Sequence, residues 1–345
     1  MELKEFTYEL PRSLIAAYPS GDRAGARLLV IERHRGEIHH RRFSDLGDFL
    51  KPGDLLVLNG TKVFPARLRG KKESGGKVEV LLVEPFDEQR SLWIALVDAA
   101  KSPRVGSRIY FADDFFAEVV GDVGEGRYGL KFHHRGEFMD RLAAHGEPPL
   151  PPYIQRNRQV VSMDWERYQT IYASSVGAVA APTAGFHFTW DLLAELASKG
   201  VERTLLTLHV GPGTFRPVRE EIVERHRMAG ERYALGADAA EKIQRAREAG
   251  KRVIAVGSTT TRALEWIALR TGKITADEGI ARLFIHPGFA FRVLDGLITN
   301  FHLPGSTPLI LVAAFAGLEL VRRAYREAVQ RRYRFYSYGD AMLIL

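Results

Sequence analysis

The chain contains no cysteine, which excludes disulfides, thiolate nucleophiles and cysteine-ligated zinc or iron-sulfur centres. It has no long apolar run either: the longest, residues 308–317, is too short to span a bilayer. The opening Met1-Glu2-Leu3-Lys4-Glu5-Phe6 lacks a basic region followed by an apolar one, so a cytoplasmic location is the expectation. No Gly-x-Ser-x-Gly elbow is present, nor a phosphate-binding glycine loop ending in Lys-Ser/Thr. Gly211-Pro212-Gly213 follows a strand-like run, but Thr214-Phe215-Arg216-Pro217 cannot open the helix that would receive a pyrophosphate, and a third glycine is missing. A tight turn between His209 and Arg216 is what remains. Histidines 187, 209, 226, 286 and 302 include no i, i+4 pair with a glutamate, so no metal is expected.

What is present suffices for two domains: 345 residues, 46% hydrophobic and 26% charged, can bury a substantial core. A formal charge of +7 suits a polyanionic partner. Arg27-Leu28-Leu29-Val30-Ile31 and Leu55-Leu56-Val57-Leu58-Asn59 have the continuous apolar character of buried strands, with a helix-like piece between them around 43–50. Residues 65–152 then carry short strands at regular spacing with turns between, and Pro148-Pro149-Leu150-Pro151-Pro152-Tyr153 has the composition of a stiff connector. Beyond it helical and strand patterns alternate: helices at 190–199, 238–249 and 262–270, strands near 283–285 and 296–299, a hydrophobic helix after Ser306, a basic one to about Arg332, and a last strand at 341–345. The expected fold class is α/β. A largely parallel sheet forms a discontinuous core domain of residues 1–64 and 153–345, interrupted by an all-β, barrel-like domain at 65–152.

Three polar stretches stand where strands end. In Val179-Ala180-Ala181-Pro182-Thr183-Ala184-Gly185-Phe186-His187-Phe188-Thr189, Pro182 stops a helix and Gly185 relaxes the backbone before a new helix begins. Val256-Gly257-Ser258-Thr259-Thr260-Thr261-Arg262 sets four hydroxyls and a guanidinium at a strand-to-helix junction, where free N–H groups attract a carboxylate or phosphate; simple capping needs one hydroxyl. Thr299-Asn300-Phe301-His302-Leu303-Pro304-Gly305-Ser306-Thr307 repeats the first design, with Ser306 as cap and Pro308 in the first turn. Two loops that each set a histidine beside an aromatic point to one shared pocket. Tyr333-Arg334-Phe335-Tyr336-Ser337-Tyr338-Gly339-Asp340 adds rings suited either to stacking on an adenine or to the core.

Ala181-Pro182-Thr183-Ala184-Gly185-Phe186-His187-Phe188-Thr189, Leu208-His209-Val210-Gly211-Pro212-Gly213-Thr214-Phe215, Ile298-Thr299-Asn300-Phe301-His302-Leu303-Pro304 with Ser306-Thr307, and the stretch from Tyr333 to Met342 resemble the S-adenosylmethionine:tRNA ribosyltransferase-isomerase family of queuosine biosynthesis. Arg27-Leu28-Leu29-Val30 and Pro65-Ala66-Arg67-Leu68 extend the resemblance over essentially the whole chain. It implies an α/β core interrupted by a β-barrel. It also implies transfer of the ribosyl part of S-adenosylmethionine to 7-aminomethyl-7-deazaguanine at the tRNA wobble position, with adenine and methionine leaving and an epoxycyclopentane formed. S-adenosylmethionine is then a substrate, and no metal or redox cofactor is required. That chemistry asks for a base at the carbon beside the sulfonium, a donor for departing adenine and an unprotonated amine held in line.

For proton transfer the resemblance makes His187 and His302 the first candidates and His209 and Asp340 the next; Thr183, Gly185, Ser258, Thr259, Thr260, Arg262, Asn300 and Tyr338 are assigned to substrate. Arg216, Arg322, Arg323, Arg331 and Arg332 suit tRNA phosphates. The chain departs from the family pattern at Ala229, where a second histidine is usual, at Gly60 and Lys62, where Asp and Arg are usual, and at Ala26, where serine is usual. A monomer is expected, and the rival readings are a non-catalytic or divergent RNA-binding paralogue and a conventional methyltransferase. The latter is disfavoured by the lack of a glycine-rich strand-to-helix turn early in an α/β unit.

Overall fold

Runs of four or five buried residues form the centre of the molecule, as strands covered on both faces require. The computed structural model describes residues 1–87, 91–154, 161–211 and 218–345. The chain opens with β1 (Arg27–Glu32), β2 (Glu37–Arg42), β3 (Leu55–Asn59) and the short β4 (Thr61–Val63). β5 (Arg67–Lys72), β6 (Lys77–Pro85), β7 (Leu92–Ala99), β8 (Arg108–Ala112), β9 (Phe115–Gly124) and β10 (Arg127–His134) follow. α1 (Phe138–His145), β11 (Gly146–Glu147), α2 (Ser162–Arg167) and β12 (Ser175–Ala178) lead back to the core. There come α3 (Trp190–Ser198), β13 (Glu202–Leu208), β14 (Glu231–Leu235), α4 (Ala237–Glu248), β15 (Val253–Val256) and α5 (Ser258–Thr271). β16 (Asp277–Ala281), β17 (Gly296–Asn300), α6 (Thr307–Ala316), α7 (Leu318–Gln330) and β18 (Ala341–Ile344) complete the chain.

Nine strands form one sheet in the order β16-β14-β13-β3-β15-β17-β18-β1-β2. The central run β13-β3-β15-β17 is parallel, with Thr204 and Ala255 both opposite Val57 and Ala255 opposite Leu297. The flanks make the whole sheet mixed: β18 runs against β17, and β2, β14 and β16 join antiparallel. The edge strands β2 and β16 are polar, which protects them from further pairing. No strand forms at 283–285, where one was expected; Leu283 and Ile285 bury their side chains outside the ladder, and the Leu283 carbonyl accepts from Arg262. One face of the sheet packs under Ile243, Leu264, Ile310 and Tyr325 of α4 to α7, and the other under Phe43, Leu192 and Leu196.

β5-β6-β7-β10-β9-β8 closes into a barrel through the β5–β8 pair, Lys71 opposite Tyr110. A Cβ on Gly70 would fall 2.6 Å from the Tyr110 carbonyl oxygen, so closure depends on glycine there. Val80, Leu82, Trp93, Ile109, Phe115, Val119 and Leu130 fill the interior, and Phe138 and Leu142 of α1 plug it. Val179 belongs to the same cluster, so the 179–189 stretch starts against the barrel and crosses to the core sheet. Among the described residues no helix is long and apolar enough to cross a membrane.

Candidate active site

The C-terminal ends of β13, β15 and β17 open into a cleft, partly continuous with solvent, where parallel sheets characteristically hold ligands. Its described walls come from Pro182, Thr183 and Ala184, from Gly257, Ser258 and Thr259, from Thr299 to Leu303, from Ser306 and Pro308 at the start of α6, and from Tyr153, Tyr336 and Ser337. Among these residues none is Asp, Glu, Lys or Arg.

Residues 183–187 form a 3-10 turn after Pro182 that divides the first stretch into two sides. Thr183 and Ala184 face the cleft, while Phe186 packs with Tyr168 and Tyr338, and Phe188 against Phe43. His187 goes with the inward side. It is 4% exposed, lies 5.0 Å from the Phe43 ring, and its Nε2 is 3.3 Å from Asn300 Nδ2. Burial first, then the nearby Arg23 and Arg334 charges, push its pKa down to about 3. A neutral imidazole therefore accepts the Asn300 amide hydrogen, while Thr183 Oγ1 donates to Asn300 Oδ1 at 2.8 Å.

His302 does line the cleft. Its Nε2 is 2.8 Å from Thr299 Oγ1, its N–H donates to Tyr325 Oη, and its carbonyl accepts from Tyr8 Oη. Burial pushes its pKa down to about 3, leaving the ring neutral. Opposite the polar rim, Tyr336 sits with a left-handed backbone (φ 74°) that places its ring centroid 3.7 Å from that of Tyr153. Tyr153 Oη and Ser337 Oγ share a hydrogen bond at 2.5 Å. Burial raises both tyrosine pKa values, so the phenols stay neutral.

Two helices point their N-termini at the cleft. Gly257, at φ 95°, turns β15 into α5, and neither α5 nor α6 has a side-chain cap, so their first N–H groups remain available. Ser258 and Thr259 stand at the rim, with Thr259 Oγ1 accepting from the buried Asn59 at 3.3 Å.

Several expected residues lie elsewhere because the packing uses them. Thr260 is buried and returns its hydroxyl to Val256 O at 2.8 Å. Arg262 pairs with Glu231 and donates to Leu283 O at 2.9 Å, away from the cleft. Gly185 serves close packing: a Cβ there would fall 2.1 Å from Tyr172 Oη. His209 meets Thr61 Oγ1 at 2.8 Å, joining β13 to β4. Tyr338 donates to the buried Asp164 at 2.8 Å. Asp340 is also buried; it accepts from the Arg27 backbone at 2.9 Å and the Arg334 backbone at 2.7 Å and pairs with the Arg27 guanidinium. Together Tyr338 and Asp340 clamp the segment that carries Tyr336. Arg322 is held by Glu5 O and Glu319, Arg323 by Gly36 O, and Arg331 and Arg332 are exposed. Arg216 lies outside the described residues.

Sequence reasoning missed Tyr153, taken for connector, and Asn59, whose amide bridges Leu208 O and Thr259. Among the described residues the one cluster with metal-ligand spacing is Glu32, Glu37 and His39 on the β1–β2 hairpin, which includes none of the five histidines singled out. Ala26, Gly60, Lys62 and Ala229 are all absent from the cleft wall.

A queuosine biosynthesis protein family matches residues 3–344 of the chain. The S-adenosylmethionine:tRNA ribosyltransferase-isomerase of Anaeromyxobacter sp. is 53% identical over 346 residues, covering 100% of this chain and 99% of that protein. That of Pelobacter propionicus is 49% identical over 344 residues, covering 100% of both. The crystal structure of S-adenosylmethionine tRNA ribosyltransferase from Thermotoga maritima matches with a TM-score of 0.56 at 38% identity, over 99% of this chain and 100% of that one. An α/β core with an inserted barrel, a cleft at its strand ends and full-length similarity at about half identity agree: the chain belongs to the S-adenosylmethionine:tRNA ribosyltransferase-isomerase family of queuosine biosynthesis.

Proposed function

We propose that the cleft transfers and isomerises the ribosyl part of S-adenosylmethionine onto 7-aminomethyl-7-deazaguanine at the tRNA wobble position, giving epoxyqueuosine-tRNA and releasing adenine and methionine. The observation that carries this reading is the cleft's wall. It offers a neutral imidazole, an aromatic pair and two helix N-termini, with no carboxylate among its described residues to pair with a sulfonium. An unpaired sulfonium keeps its full acidifying effect on the adjacent carbon, because no counter-charge offsets it.

In this reading His302 accepts the proton from the carbon beside the sulfonium, and Tyr153 with Tyr336 receives the adenine by stacking. Asn300, held at both ends by Thr183 and His187, binds the ribose hydroxyls; His187 is a positioning residue. S-adenosylmethionine is consumed as a substrate, and the steps call for no metal or redox cofactor. Exposed Arg331 and Arg332, just before the segment that brings Tyr336 to the cleft, suit tRNA phosphates. A monomer in the cytoplasm is the working assembly. The test is product identity: with S-adenosylmethionine and tRNA bearing the aminomethyl base, adenine and methionine should appear together. Release of S-adenosylhomocysteine would indicate methyl transfer, and tRNA binding without turnover a binding module.

A further inference from the structure

Arg23 stands in the approach to β1, half-buried, and the chemistry derived above gives it no task. Its guanidinium donates to three main-chain carbonyls at 3.1 Å each: Glu166 and Gln169, at and just beyond the end of α2, and Phe186, the residue before His187. Capping the end of α2 would require only the first of these. The Arg23 main chain is itself a hydrogen-bonding neighbour of the His187 ring. Because Nε2 accepts from Asn300, the ring proton sits on Nδ1, and the nitrogen left to meet Arg23 is a donor. The adjoining backbone is pinned as well: Ala24 O and Ala26 O accept from Ser44 and Phe43 at 3.0 and 2.8 Å, and Phe43 packs against the imidazole.

We propose that Arg23 is a positioning residue for the reaction proposed above, on which its role in turnover rests: it grips the turn of residues 183–187 by the Phe186 carbonyl and holds the His187 ring by its own carbonyl. Both contacts converge on His187, so Arg23 selects the Nδ1–H tautomer and aims Nε2 at the Asn300 amide. In the other tautomer an N–H would face the Asn300 NH2 group, and two donors cannot pair. The line of contacts runs from Arg23, which is not part of the described cleft wall, through His187 to Asn300 and Thr183, which are.

The test is a double-mutant cycle between Arg23→Gln and His187→Ala, read as single-turnover adenine release. Nitrogen NMR shifts of the His187 ring, recorded on ligand-free protein at neutral pH, give a second readout that does not depend on turnover. Arg23→Gln should lower the rate by roughly 10-fold when His187 is present and by less than about 2-fold when it is not. The KM for tRNA should stay unchanged. The ring shifts should show one tautomer in wild type and a mixture of both in Arg23→Gln. Arg23→Lys keeps the charge but loses the planar fork that spans three carbonyls; it should show the same coupling, and it carries the cycle if Arg23→Gln does not fold. Equal losses with and without His187, or a His187 tautomer unchanged in both variants, would overturn the assignment and leave Arg23 as a cap of α2. Wild type that releases no adenine would overturn the reaction, and the ring shifts would still decide whether Arg23 positions His187.

Discussion

Asn300 Nδ2 lies 3.3 Å from His187 Nε2, so the imidazole that stands out in the sequence holds an amide in place behind the cleft wall. Because Thr183 fixes the other end of the same amide at 2.8 Å, the three residues orient one group for the substrate. Replacing His187 or Asn300 by alanine should each lower kcat by roughly 10- to 100-fold, and the double replacement should cost scarcely more than either one. Single-turnover rates on the three variants check this; additive losses would mean that His187 acts independently of Asn300.

Acid should weaken the fold through His187. Its folded pKa is about 3 against an unfolded value near 6.5, so below pH 6.5 the unfolded chain binds a proton that the folded chain refuses. Stability from this group is complete above pH 6.5 and is lost progressively as pH drops towards 3. Urea unfolding at several pH values should show a shallower decline in His187→Gln.

Tyr336 maintains a left-handed backbone at φ 74°, a conformation costing on the order of 1–3 kcal/mol, to set its ring against Tyr153. Tyr336→Ala should weaken S-adenosylmethionine binding by roughly 5- to 100-fold, the worth of a lost base stack. Wild-type affinity in that variant would remove the aromatic pair from the adenine site.

Arg331 and Arg332 should matter to tRNA alone. The double alanine variant should raise the KM for tRNA and reduce the salt dependence of tRNA binding by about 1 to 2 in log–log slope, with the KM for S-adenosylmethionine unchanged. Titrations between low and physiological salt distinguish this from a general loss of fold.

Much of the molecule is legible in the sequence where pattern alone decides structure. Buried strands such as Leu55-Leu56-Val57-Leu58-Asn59 announce themselves by continuous apolarity, and the barrel by short strands without helices between them. The edge strand β16, with Glu278 and Gly279 exposed, lacks that signal, and apolar Leu283 and Ile285 imitate it without pairing. For the cleft, the three polar strand ends were visible, but not the direction of each side chain. His187 and Ala184 share one 3-10 turn and face opposite ways, which only the packing of Phe186 and Phe188 decides. Arg262 looked free for a ligand because its partner, Glu231, lies 31 residues earlier. Tyr153 ends a proline-rich run and reaches the cleft only because Ser337 and Tyr336 meet it from the far end of the chain.

The central claim is that His302 takes the proton beside the sulfonium, and its most direct measurement is product release by His302→Gln beside wild type. Wild type should release adenine and methionine in equal amounts with modified tRNA as co-product. His302→Gln, able to keep a contact with Thr299, should still bind S-adenosylmethionine yet lose at least about 100-fold in adenine release, within the range of a positioned proton acceptor. Near-normal adenine release by His302→Gln would contradict the claim.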